Sequence, residues 1–294
     1  MTELITATPS ATAEGNQEMR LRSDLTAREV MREVGSVLRM TEKEAAALSI
    51  DDVDVPEDQS MIINMGPQHP STHGVLRLML ELQGERVLRC KPIIGYLHTG
   101  MEKTGEDLTF MQGGTNVTRM DYLSPLNNEL VFSMAVEKLL GIDGDIPERA
   151  VWMRMLLSEL NRMSSHLLFL ATNGMDIGAV SMMIYGWRER EEVLRFFQKV
   201  TGLRMNHNFI RPGGLAADLP AGWRDDVLDI LDRLPERLHE YDILMTEQPI
   251  WRERLQGVGV ITAQEAVALG ATGPILRSTG VPWDLRRDMP YLHY

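Results

Sequence analysis

The chain has 294 residues, a formal net charge of −12 and 44% hydrophobic content, enough to bury the core of one large domain or two small ones. No Lys/Arg stripe offsets the acidity, which argues against a nucleic-acid partner. The single cysteine, Cys90, excludes an intrachain disulfide, a cysteine-based zinc site and an iron–sulfur cluster ligated by this chain; a buried or half-buried thiol in a strand is the expectation.

Residues 1–60 hold 13 acidic and 6 basic residues. Sustained periodicity there is confined to 25–38, so the segment is expected to be a partly disordered acidic extension with room for one short helix. No basic stretch followed by an apolar one suggests a secretory leader. From Met61 the pattern changes. MIINM (61–65) predicts a strand. VLRLMLEL (75–82) alternates, with Leu76, Leu78, Leu80 and Leu82 on one face. Gln83-Gly84-Glu85 is a turn, and RVLRCKPII (86–94) returns as a third strand. The prediction is a small antiparallel sheet over 61–94.

Helices follow over 95–294. The stretch 98–112 is a glycine-interrupted candidate. Ser124 and Pro125 look like a cap and first-turn proline for 126–141. Residues 147–172 form a long central helix. The apolar run 163–183 is interrupted by His166, Asn173, Gly174 and Asp176, so it predicts a core helix and a loop instead of a membrane span. Amphipathic helices are expected over 187–202 and 224–245, with Pro235 as a kink or break, and a short capped helix over 262–270. The end, DLRRDMPYLHY, has no helix-stop logic and closes on exposed-looking aromatics, which suggests a chain cut short. The fold class is therefore α+β and mostly α: a small N-terminal antiparallel sheet, then a helical bundle incomplete at its C-terminus.

Five polar segments stand out. GPQHPSTHGVLR (66–77) places His69 and His73 four apart. Pro67 and Pro70 make a helix improbable, so the geometric case for a metal-binding pair falls away. What remains is a structural loop or a substrate-facing one. GYLHTGMEK (95–103) fits a helix start with a solvated acid and base. RMDYLSP (119–125) sets Arg119, Asp121 and Tyr122 before a helix cap, where a tyrosine is usually an amphipathic plug. GMDIGA (174–179) puts Asp176 between glycines, in a context where a carboxylate should be paired or hydrogen-bonded. LRMNHNFIRPGG (203–214) is a loop and lacks the strand–turn–helix setting of a dinucleotide fingerprint.

Together, in this order and spacing, these segments resemble the quinone-site D subunits of the proton-pumping NADH-quinone oxidoreductases, respiratory complex I, over about residues 61–294. That family is related to the large subunits of nickel–iron hydrogenases. Cys90 alone cannot replace the two CxxC pairs of a hydrogenase metal centre. The resemblance implies a hydrogenase-large-subunit-like fold and a quinone-head pocket beside the terminal 4Fe-4S cluster of a small iron–sulfur partner, the B subunit. It implies no metal or flavin on this chain. The C subunit of the peripheral arm, the H subunit of the membrane arm and the remaining complex I subunits are implied partners, at the cytoplasmic face of the cell membrane.

Carried over by motif, His73 and Tyr122 are the implied quinone-head ligands and Asp176 the partner of His73. Arg119 falls near the partner's cluster. His69, Pro70, Ser71, Thr72 and Gly74 complete the pocket loop. Quinone reduction adds two electrons and two protons, and charge develops on oxygens at opposite ends of the ring. Two proton donors at opposite ends of a pocket suit that chemistry, and free Tyr and His side chains, titrating near about 10 and about 6.5, both present a proton at neutral pH. One departure is local: Asn206 occupies the position where many members place a histidine near the cluster, with His207 beside it. Alternative readings are the same subunit type fed by ferredoxin or coenzyme F420, and an inactive, truncated scaffolding paralogue. Ubiquinone and menaquinone are both open.

Overall fold

A computed structural model describes residues 60–294. The acidic extension and the helix expected over 25–38 lie outside the described residues. The described chain separates at His98/Thr99 into two compact units.

The first unit is built on a three-stranded antiparallel sheet, β1 (Met61–Met65), β2 (Arg77–Gln83) and β3 (Arg86–Ile93), in that order. Leu80 faces Ile63 on one side and Cys90 on the other. Gly84, with φ +59°, supplies the left-handed turn between β2 and β3. The alternation expected of β2 is not clean. Leu76 precedes the strand, and the consecutive Met79 and Leu80 are its buried residues, so both faces are covered at the strand centre. A register shift between Glu81 and Leu82 also interrupts the pattern. Cys90 is exposed, contrary to expectation, because β3 forms the outer edge of the three-stranded order.

The second unit is helical: α1 (Met101–Asp107), α2 (Phe110–Val117), α3 (Pro125–Leu140), α4 (Glu148–Asp176), α5 (Ser181–Thr201) and α6 (Trp223–Tyr241), then a π-helical turn (Asp242–Thr246), α7 (Pro249–Leu255), α8 (Ala263–Ala268), α9 (Gly273–Ser278) and α10 (Leu285–Asp288). The single helix candidate over 98–112 is two helices, because Thr109 and Gln112 form a capping box that starts α2 afresh. Pro235 lies inside α6 without ending it. A main core gathers Leu126 and Leu130 of α3, Leu157 and Leu160 of α4, and Val193, Leu194 and Phe197 of α5. A smaller second core joins Leu167, Met182, Tyr241 and Met245, with Ala179 and Trp251 against it.

The C-terminal aromatics are also better placed than expected. Asp284 caps α10, Tyr291 and Leu292 pack on the main core, and the Tyr294 hydroxyl bonds Glu159. Among the described residues no helix is long and apolar enough to cross a membrane.

Candidate functional site

In the first unit, the loop between β1 and β2 holds itself in shape. It starts with a cis Gly66–Pro67 bond and contains one 3-10 turn, Pro70–Thr72. His69 caps that turn: its Nδ1 accepts from the Ser71 N–H at 3.1 Å, so this nitrogen carries the lone pair and the proton belongs on Nε2. Thr72 is buried, and its hydroxyl reaches the carbonyls of His69 (3.1 Å) and Pro67 (3.4 Å). His73 ends the turn at φ +53°, followed by Gly74 at +80°. Histidine tolerates this left-handed geometry better than branched residues do. The turn thus presents His73 as an exposed ring, while Ser71 and Gly74 line the same exposed stretch.

In the second unit, Arg119, Asp121 and Tyr122 occupy the turn between α2 and α3. Arg119 Nη1 donates to the Thr115 carbonyl at 2.6 Å. Asn128 Nδ2 donates to the Asp121 carbonyl at 2.9 Å, and Asp121 Oδ1 accepts from the Leu123 N–H. These bonds fix the backbone and leave the Tyr122 side chain 45% exposed.

The turn shares an anchor with the 203–215 loop. Glu129, fully buried on α3, accepts from the N–H groups of Asn208 (2.6 Å), Phe209 (2.7 Å) and Ile210 (2.9 Å). The same carboxylate lies 2.9 Å from the Thr118 hydroxyl. Burial pushes the Glu129 carboxyl up, and the four donors pull it back. One turn along α3, Ser133 faces the Ile210 carbonyl, and a further turn along, Glu137 accepts from the Gly213 N–H at 2.8 Å. Arg154 of α4 pairs with Glu137 and donates to the carbonyls of Arg211 and Gly214, at 2.9 Å each. The Ile-Arg-Pro-Gly-Gly segment is therefore a two-residue hairpin, β4 (Ile210–Arg211) and β5 (Gly214–Leu215), cradled by two buried carboxylates and one guanidinium.

Asn206 and His207 sit at the entry of this loop. Asn206 and Asn208 both have positive φ, +56° and +46°, a conformation asparagine accepts more readily than most residues. His207 turns inward between them. Its ring meets Phe197 edge-on at 5.1 Å, and Nε2 lies 3.1 Å from the Arg204 carbonyl, hence carries the proton. Burial pushes its pKa down to about 4, so it is neutral at physiological pH. The Asn206 Oδ1 is buried without a hydrogen-bond partner among the described residues.

Asp176 is the last residue of α4. It lies four residues past the predicted helix end, which corrects the expectation of a loop there. The helix runs through Asn173 and Gly174 because it packs tightly: a Cβ on Gly174 would sit 2.6 Å from the Met182 Cβ. A cavity of about 550 Å³ in the second unit, lined by Trp152, Met153, Leu156, Leu219 and Trp223, includes none of the residues singled out from sequence.

Residues 176–294 match the family of the 49 kDa subunit of respiratory-chain NADH dehydrogenase. Three proteins named as D subunits of NADH-quinone oxidoreductases are closely similar. The Salinispora arenicola protein is 54% identical over 245 residues, 83% of this chain and 56% of that protein. The Acidothermus cellulolyticus protein is 55% identical over 245 residues, again 83% and 56%. The Frankia alni protein is 56% identical over 236 residues, 80% and 50%. The chain is similar to this family over residues 176–294 and to these D subunits over most of its length. It spans about half the length of these relatives.

Sequence reasoning missed the residues that hold the loops. Glu129, Ser133 and Glu137 occupy the core-facing stripe of α3, and Arg154, Ser158, Asn161 and Ser164 that of α4. Arg190 of α5, also buried, donates to the Ser164 carbonyl and hydroxyl. The signal was present: charged and polar residues three or four apart along an apolar stripe mark buried polar contacts.

Proposed function

We propose that this chain forms the quinone-head pocket of a proton-translocating NADH:quinone oxidoreductase, as a D-type subunit with the fold of the nickel–iron hydrogenase large subunits. One observation carries the reading: the His73 loop, the Tyr122 turn and the Asp176 turn occur together in a chain 54–56% identical to proteins named as NADH-quinone oxidoreductase D subunits. In that reading the chain docks peripherally, at the cytoplasmic face of the membrane, beside the B, C and H subunits.

The terminal 4Fe-4S cluster of the small iron–sulfur partner would supply the two electrons. This chain's own residues supply positions and protons. Tyr122 donates a hydrogen bond, and then a proton, to one quinone oxygen. His73 does the same at the other. Quinone plus two electrons and two protons gives quinol, so both donors are left short of a proton until they are resupplied. Asp176 is the proposed partner of the His73 imidazole. Its rearrangement after proton loss is the step that would signal to the membrane arm. Arg119 and Asn206 face the side of the partner's cluster. His207, buried and neutral, does not replace a titrating histidine there.

A photoreactive quinone analogue tests the location. In the assembled complex it should label residues 66–77 or 119–123, and excess quinone should compete the label away. Competable labelling confined to other segments or other subunits would overturn the reading. The presence or absence of NADH-binding subunits in the purified complex separates it from a ferredoxin- or F420-fed relative.

A further inference from the structure

Asp176 stands in the last turn of a 29-residue helix. That end gathers carbonyl oxygens and the negative pole of the helix, so a carboxylate is electrostatically misplaced there. A cation facing those carbonyls would offset the field. The α7 helix provides one: Arg254 Nη1 donates to the carbonyl of Ile177, the residue after Asp176. The next residue, Gly178, has φ +103°, and a Cβ on it would collide with the same guanidinium. Behind the turn, Gly174 lies against Met182 and Met245 of the second core. The Asp176 turn is thus clamped between that core and Arg254, which reaches it from 77 residues further along the chain.

We propose that Arg254 is a positioning residue for quinone reduction. Through the Ile177 carbonyl it fixes the turn that carries Asp176 and offsets the negative helix end beside that carboxylate. Gly178 is the glycine that makes room for it. This rests on the assignment of Asp176 to the quinone site.

The test uses the complex assembled in membranes, with a short-chain quinone and, separately, a hydrophilic artificial acceptor that bypasses the pocket. Arg254→Met should lower the quinone kcat about tenfold, the scale expected when a reacting group is slightly misplaced, with KM nearly unchanged. The hydrophilic-acceptor rate should hold. Arg254→Lys should restore most of the quinone rate. Gly178→Ala should lose at least as much, because a side chain there meets the guanidinium and is also strained at φ +103°. An unchanged quinone kcat in Arg254→Met overturns the proposal, as does an equal loss of both activities, which would mark plain instability. Tyr122→Phe run in parallel separates the layers. If it retains quinone activity, the site assignment fails and the proposal falls with it. If it loses activity while Arg254→Met does not, the positioning role alone fails.

Discussion

The Arg154 guanidinium and the Glu137 carboxylate meet as a parallel pair in the core, Nη1 to Oε2 at 3.0 Å and Nη2 to Oε1 at 2.6 Å, with both side chains at most 3% exposed. Neither is idle beyond the pair: Glu137 also holds Gly213, and Arg154 also holds Arg211 and Gly214. The Ile-Arg-Pro-Gly-Gly hairpin thus hangs from a buried ion pair between α3 and α4.

Removing one partner should cost far more than removing both. Arg154→Met leaves a bare carboxylate in the core, at a loss of about 3–5 kcal/mol. Glu137→Leu leaves a bare guanidinium at a similar loss. The double variant trades the pair for apolar packing and should lose less than either single. Urea unfolding followed by circular dichroism measures all three. A double variant as damaged as the sum of the singles would show that the pair is not acting as a unit.

His207 makes stability fall in acid. Its folded pKa is depressed to about 4, while an unfolded histidine titrates near 6.5. A depressed pKa contributes stability that is complete above about 6.5 and is lost as pH falls towards about 4. The shift corresponds to about 3 kcal/mol. Unfolding free energy measured from pH 7 to 4 should drop accordingly, and His207→Gln should flatten that part of the slope. An unaltered slope in His207→Gln would assign the acid sensitivity to other groups.

The α4–α5 crossing depends on Gly186. A Cβ there would sit 2.7 Å from the Ala171 Cβ and 2.8 Å from the Leu167 carbonyl oxygen. Alanine would gain up to about 1 kcal/mol in helix propensity. Overpacking against backbone costs about 1–3 kcal/mol, so the cost wins. Gly186→Ala should lower the thermal midpoint, while Gly144→Ala, which meets nothing within 4 Å and has no positive φ, should leave it level or raise it slightly. An unchanged midpoint in Gly186→Ala would mean the helices move apart without cost.

The outline of this fold was legible because its signals are local. The turn residues around Gly84 announced the hairpin, and Pro125 and Gly141 bracketed α3 where the structure ends it. The failures came from tertiary contacts. Helix α4 runs on through Asn173 and Gly174 because Met182 and Met245 pack against it, and no local propensity encodes that. Cys90 is exposed because its strand is an edge. Motif resemblance singled out the surface histidine and tyrosine. It passed over Glu129, whose bonds to Asn208, Phe209 and Ile210 span about eighty residues of chain. Such a contact leaves one faint trace, an acid on an apolar stripe.

The central claim is that Tyr122 donates to a quinone, and one measurement tests it most directly. Tyr122→Phe removes a single hydroxyl from a side chain that is 45% exposed, so the fold should not notice. In the assembled complex, quinone-reductase activity should collapse by about a hundredfold or more, the scale of a lost proton donor, while NADH oxidation by a hydrophilic acceptor continues at the unmodified rate. Quinone reduction at the unmodified rate in Tyr122→Phe would contradict the account.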